Sequence, residues 1–312
     1  MATGSAIAAI DCGTNSTRLL VADAEGRPLE RLMRITRLGQ GVDATGSLAP
    51  EAIDRCVAVL AEYRQVMDRF GVDRGRLAAT SAARDAVNGD DFLQLAGEAT
   101  GLEPELLTGV DEGRLSMAGA VADLDAAEEP FLVLDIGGGS TELVAGNGPE
   151  DPNLVTVSLQ LGCVRVSERY FVSDPPTTDQ LASAEAEIHN QLESAITEHP
   201  LLLEARHLVG LAGTVSTLVS LQLRMVEYDR DRVHHAVLAA PDVERWYHDL
   251  AAEDRTARLA RQGMVPGRED VIVGGAMVLD AVMRRFGFDN CLVSEADILD
   301  GLVASQISTL AR

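Results

Sequence analysis

Asp11-Cys12-Gly13-Thr14-Asn15-Ser16-Thr17-Arg18-Leu19 and Asp135-Ile136-Gly137-Gly138-Gly139-Ser140-Thr141-Glu142-Leu143 carry one pattern twice. Asp, Gly, Ser, Thr and Leu recur at the same offsets, and apolar runs flank both copies. Each copy reads as strand, glycine turn, strand. One copy in each half implies a duplicated β-hairpin whose turn binds phosphate, in two domains that face each other across a cleft. Neither copy is G-x-G-x-x-G, and no helix is expected straight after the turn, so a Rossmann site is disfavoured.

Working outward, strands are expected at Ala6 to Ile10, Arg18 to Ala22, Leu77 to Thr80, Phe131 to Leu134, Glu142 to Ala145 and His207 to Leu211. Pro50 to Phe70 reads as an amphipathic helix, with Ile53, Val57, Leu60 and Met67 on one face, Pro50 at its start and Gly71 at its end. Thr177 to Thr197 carries a stripe of Leu181, Ile188, Leu192 and Ile196, and a last helix is expected over roughly Ala296 to Leu310. Strands mixed with long helices mean an α/β architecture. The acidic, alanine-rich stretch Asp123 to Pro130 marks the expected boundary between a first domain, 1–125, and a second, 126–296. The last helix, about 297–312, is expected to pack back on the first. Asn147 to Asn153, with Pro149 and Pro152, reads as a hairpin turn inside the second domain.

The 312 residues are 46% hydrophobic and 24% charged, which sets aside a disordered or collagen-like chain. Net charge is -23, and all 26 basic residues are arginine. Without lysine there is no Walker A site, no Schiff base and no kinase-type β3 lysine. So acidic a chain is not expected to bind a nucleic-acid polymer. A small anion held by a few arginines and backbone amides remains open. Cys12, Cys56, Cys163 and Cys291 are far apart with no C-x-x-C pair, and read as buried reduced thiols of a cytoplasmic protein. The first ten residues lack the basic start of a signal peptide, and the longest apolar run, Val271 to Leu279, is too short to span a membrane.

Gly13, Thr14, Asn15 and Ser16 in one turn, and Gly137, Gly138, Gly139, Ser140 and Thr141 in the other, present successive backbone N–H groups and hydroxyls to an anion. An aspartate closing the preceding strand suits a divalent cation or its water shell. Asp135 and Glu142 are the expected metal-side carboxylates, with Asp11 behind them. A single copy would read equally well as an ordinary glycine hairpin; the repetition argues against that.

These segments, together with Ala79-Thr80-Ser81-Ala82-Ala83-Arg84-Asp85-Ala86, resemble the exopolyphosphatase/guanosine pentaphosphate phosphohydrolase (Ppx/GppA) family of the actin/sugar kinase/Hsp70 superfamily. The likeness continues in order through Gly109 to Ser116, Gly210 to Thr214, Asp270 to Ala276 and Ser294 to Gly301. It implies a duplicated, ribonuclease H-like α/β fold. It also implies that Glu112 is the general base on the attacking water, in the motif Asp111-Glu112-Gly113-Arg114, where the family usually has Glu-Glu-Ala-Arg. Hydrolysis of a phosphoanhydride needs such a carboxylate to orient and deprotonate water. Arg84 is expected on the terminal phosphate oxygens, where a guanidinium fork stabilises developing charge. Gly213 and Thr214 form a third small-residue turn, which reads as well as a plain strand-to-helix junction. The six histidines give no metal spacing, and the adjacent His234 and His235 are expected to diverge.

The resemblance implies removal of the terminal phosphoryl group from linear polyphosphate by water, with Mg²⁺ (or Mn²⁺) and K⁺ as activator. The net charge adds an expected preference for short chains. Guanosine pentaphosphate is the nearest rival substrate. A small-molecule kinase and a non-catalytic nucleotide-binding regulator are rivals of other classes. A homodimer is expected from family habit alone, and no membrane partner is expected.

Overall fold

The computed structural model describes residues 6–310. The chain divides into two units: the chain up to Gly119 together with the segment from Asp297 onward, and Ala120–Ala296.

In the first unit β1 (Ala6–Cys12), β2 (Ser16–Ala22) and β3 (Pro28–Ile35) form an antiparallel meander. Next come α1 (Val42–Thr45), α2 (Pro50–Phe70), β4 (Val72–Ala79), α3 (Ser81–Asp85), α4 (Gly89–Thr100), β5 (Pro104–Leu106) and α5 (Gly109–Ala120). β4 lies parallel to β1 and β5 parallel to β4, giving the sheet order β3-β2-β1-β4-β5. Helix α2 has the bounds its pattern gave, with Pro50 in its first turn and Gly71 closing it at φ +64°, where a side chain would be strained. β1 is buried along its whole length because it is covered on both faces. Ala6, Ala8, Ile10 and Cys12 join the core under α2, while Ile7 and Ala9 join the core under the last helix, Ile298–Leu310. This period of two places Asp11 on the last-helix face.

The second unit starts with the same meander, β6 (Phe131–Ile136), β7 (Thr141–Gly146) and β8 (Val155–Leu159), followed by α6 (Cys163–Tyr170) and α7 (Thr178–Glu198). β9 (His207–Leu211) runs into α8 (Ala212–Gln222); then follow α9 (Arg230–Val233), β10 (Val237–Ala239), α10 (Ala240–Ala251), α11 (Arg255–Ala260), α12 (Ile272–Phe286) and β11 (Asn290–Val293). The sheet order is β10-β11-β9-β6-β7-β8, with β9 parallel to β6 and β11 parallel to β9. Read from β8, it repeats the first sheet strand for strand and adds β10 at the far edge. Two such sheets make the duplicated α/β architecture that the repeated motif implied. Among the described residues no helix is long and apolar enough to cross a membrane.

Candidate active site

The two copies of the motif adopt one register. Asp11 lies opposite Arg18 and Cys12 opposite Thr17; Asp135 lies opposite Glu142 and Ile136 opposite Thr141. Directly opposed residues put their side chains on the same face of the sheet, about 5 Å apart at Cβ. Both turns leave the first glycine the same clearance, since a Cβ on Gly13 or on Gly137 would stand 3.1 Å from the carbonyl oxygen of Ser16 or of Ser140.

The opposed pairs differ in charge. In the first unit Arg18 donates through Nε (3.0 Å) and Nη2 (2.7 Å) to Asp11 Oδ2. Arg18 Nη1 also pairs with Asp297 at the start of the last helix. Arg31 of β3 continues the network, donating to Asp300 Oδ1 (2.7 Å) and Oδ2 (2.6 Å) and lying 3.6 Å from Asp297 Oδ1. Burial pushes the Asp11 carboxyl above its ordinary range, against the opposing pull of Arg18. In the second unit the same two positions are Asp135 and Glu142, both buried, with Glu142 Oε1 accepting from the Ser158 hydroxyl at 2.7 Å. Two carboxylates facing each other favour a shared proton or a cation between them. In the first unit the chain itself sets a cation, Arg18, against the buried aspartate. Asp11 thus has its Oδ2 taken by a guanidinium.

The first unit also brings Arg84 and Glu112 together. Arg84 lies in the last turn of α3, and its Nη1 donates to the Leu107 carbonyl at 2.7 Å and reaches Glu112 Oε2 at 3.4 Å. Glu112 sits in the first turn of α5, its side chain 11% exposed. That turn is fixed by Thr108, whose hydroxyl accepts from the Asp111 N–H at 3.1 Å and donates to Asp111 Oδ2 at 2.6 Å. The shortened first carboxylate of the motif thus serves as a cap partner. The position of α5 is set by glycines: a Cβ on Gly119 would lie 2.0 Å from the Asp297 carbonyl, and one on Gly301 would lie 2.1 Å from that of Leu115. Arg84 Nη2 and Asn15 Nδ2 are among this unit's buried donors that lack an acceptor, as are Arg31 Nε and Arg74 Nε. A bound anion is one acceptor that can complete buried donors of this kind.

Gly213 and Thr214 do not form a loop. Ala212, at φ +67°, turns the chain directly into α8, so both lie in its first turn. Thr214 is buried near the Cys163 thiol, while a Cβ on Gly213 would strike the Arg268 guanidinium at 1.8 Å. Gly213 thus makes room for an arginine at a helix N-terminus, a position the sequence did not single out.

His234 and His235 do not diverge. His235 takes a left-handed φ of +63°, which stacks its ring on His234 with centroids 3.9 Å apart. With Asp123 they form a group compact enough to hold a metal by distance alone. The hydrogen bonds argue otherwise. His234 Nδ1 accepts from the Glu295 N–H (3.1 Å), so its Nε2 carries the proton and donates to Asp123 Oδ2 (3.0 Å). A metal at Nε2 would need that lone pair.

Comparison with known proteins decides the family. The pattern of the Ppx/GppA phosphatase family matches residues 20–310. The chain belongs to this family. It is 44% identical to "Exopolyphosphatase 2" of Mycobacterium tuberculosis, over 96% of this chain and 98% of that one. Among solved structures it resembles an exopolyphosphatase-like protein, with TM-score 0.91 and 33% identity over 98% of this chain and 99% of that one. It also resembles the PPX-GPPA enzyme of Aquifex aeolicus, with TM-score 0.80 and 31% identity over 96% and 99% of the two chains.

Proposed function

We propose that this Ppx/GppA phosphatase is an exopolyphosphatase, releasing orthophosphate from the end of linear inorganic polyphosphate. The observation that carries the reading is the half-buried Arg84–Glu112 pair, with the acceptor-less Nη2 of Arg84 and Nδ2 of Asn15 in the same unit. A cation, a carboxylate and unfilled donors are the parts that in-line attack of water on a terminal phosphoryl group requires.

In this reading the turn amides, with Asn15 and Arg84, hold the terminal phosphate. Arg84 neutralises the charge that grows on its oxygens. Glu112 orients a water and takes its proton, and the 3.4 Å contact sets it beside the arginine that holds the phosphate. Asp135 and Glu142 would hold a divalent ion, Mg²⁺ or Mn²⁺, which when bound supplies charge neutralisation at bridging oxygens. The helix start at Gly213, with Arg268 beside it, offers further anion contacts. The likeness to the exopolyphosphatase of M. tuberculosis, over nearly the full length of both chains, favours polyphosphate over guanosine pentaphosphate.

The net charge of -23 sets a general repulsion for a polyanion and supports a preference for short chains. The test is phosphate release from defined polyphosphates, guanosine pentaphosphate and ATP in parallel, with and without Mg²⁺. Fastest turnover on short polyphosphate is expected. Faster turnover on guanosine pentaphosphate or ATP overturns the substrate assignment.

A further inference from the structure

The duplication extends past the hairpins. After its third strand each unit places a Leu-Gly pair beneath its own turn: Leu38-Gly39 after β3 and Leu161-Gly162 after β8. Both leucines are buried in the core of their unit. The segments that carry them bind the turn carbonyls. In the first unit the N–H groups of Thr36 and Arg37 donate to the Asn15 carbonyl (3.1 and 2.9 Å), and that of Gly39 donates to the Thr14 carbonyl (2.9 Å). In the second unit Gly162 donates to Gly139 (3.2 Å), Cys163 to Gly137 (2.9 Å), and Val164 and Arg165 to Gly138 (2.9 and 3.1 Å). Arg165 Nε adds a 2.6 Å bond to the Gly139 carbonyl.

The consequence follows from peptide geometry. In a trans peptide the N–H points opposite to the C=O. With the Thr14 and Asn15 carbonyls turned to the strap, the N–H groups of Asn15 and Ser16 face away from it. With the Gly137, Gly138 and Gly139 carbonyls held likewise, the N–H groups of Gly138, Gly139 and Ser140 face away. The straps therefore determine which amides an anion meets. Neither glycine has room for a side chain: a Cβ on Gly39 would stand 2.4 Å from Thr14 Cγ2, and one on Gly162 would stand 2.1 Å from the Gly138 carbonyl carbon.

We propose that the Leu38-Gly39 and Leu161-Gly162 straps, with Arg165, are positioning elements that hold both phosphate turns amide-outward, and that Gly39, Gly162 and Arg165 are required for phosphate affinity though they touch no substrate. The inference rests on the reading of the turns as phosphate sites. A methyl group at residue 162 forces the turn back by more than about 1 Å before contact becomes ordinary, and a misplacement of about 1 Å can cost about 100-fold at a reaction centre.

The test compares wild type with Gly39→Ala, Gly162→Ala, Arg165→Gln and Arg165→Lys. Direct titration with inorganic phosphate is measured beside KM and kcat on a short polyphosphate. Expected are an orthophosphate Kd and a polyphosphate KM raised about tenfold or more in the glycine variants, with far-UV circular dichroism unchanged. Arg165→Lys should behave like Arg165→Gln, because an ammonium cannot reproduce the Nε–H contact inside the same fork. Folded Gly162→Ala with wild-type phosphate affinity overturns the proposal; if the glycine variants do not fold, wild-type affinity in Arg165→Gln, or full rescue by Arg165→Lys, overturns it. Wild type that neither binds orthophosphate nor releases it from polyphosphate defeats the functional reading itself. Wild type that does both, with variants that bind equally well, defeats only the straps.

Discussion

Replacing Arg18 by glutamine removes a cation bonded to both Asp11 and Asp297, whose side chains are 4% and 10% exposed. Asp11 loses both guanidinium bonds to Oδ2, while Asp297 keeps Arg31 at 3.6 Å. Stripping the partner from a buried charge costs about 3–5 kcal/mol, and the figure applies here chiefly to Asp11. The pH dependence has a definite sign. Burial already holds the Asp11 carboxyl above its ordinary value, and without Arg18 it rises further. A carboxyl raised in the folded state binds its proton more tightly there than in the unfolded chain. Its contribution to stability is fully present below the unfolded value, near 3.9, and is lost as pH climbs through the folded value. The deficit of Arg18→Gln should therefore be smaller at pH 5 than at pH 8. Urea unfolding at both pH values measures it, and Arg18→Gln/Asp11→Asn should recover at least half of the pH 8 loss. A deficit below about 1 kcal/mol at pH 8, or an equal deficit at both pH values, refutes the argument.

Three further outcomes are expected. Asp135→Asn and Glu142→Gln should each weaken Mn²⁺ binding, followed by its electron paramagnetic resonance signal, by about tenfold or more, whereas Asp11→Asn should weaken it far less. Arg84→Ala should lower kcat by about 100-fold or more, since it removes a donor that meets charge developing in the transition state; an unchanged kcat with only KM raised would make Arg84 a ground-state contact. Cys291, fully buried with its thiol pushed up to about 12, should resist iodoacetamide at pH 8 in the native protein and react only after denaturation, as mass spectrometry of the peptide would show.

The fold was legible because the decisive signal is local and repeated. Strand, glycine turn and strand lie within about ten residues, so two copies declare two sheets. Less local features were not. β3 (Pro28–Ile35) mixes charged and apolar residues because it is a half-exposed edge strand, and its pattern matches no strand template cleanly. Arg18 looked unremarkable in its hairpin because Asp297, which fixes it, lies 279 residues away. Glu112 and Arg84 came from family likeness; nothing in their spacing says that α3 and α5 bring them within 3.4 Å. The stacking of His234 and His235 depends on one left-handed residue that the dipeptide does not advertise. Thr214 reads as a loop hydroxyl but is buried on Cys163, because Ala212 starts the helix at once.

The most direct measurement is orthophosphate release from a short polyphosphate under single-turnover conditions by wild type and Glu112→Gln, with substrate binding titrated in both. The amide keeps the size of the side chain and loses the proton acceptor. Binding within a few-fold of wild type, with release slowed by about 100-fold or more, is the predicted result. Release at the wild-type rate from Glu112→Gln contradicts the account, because the water would then be activated elsewhere.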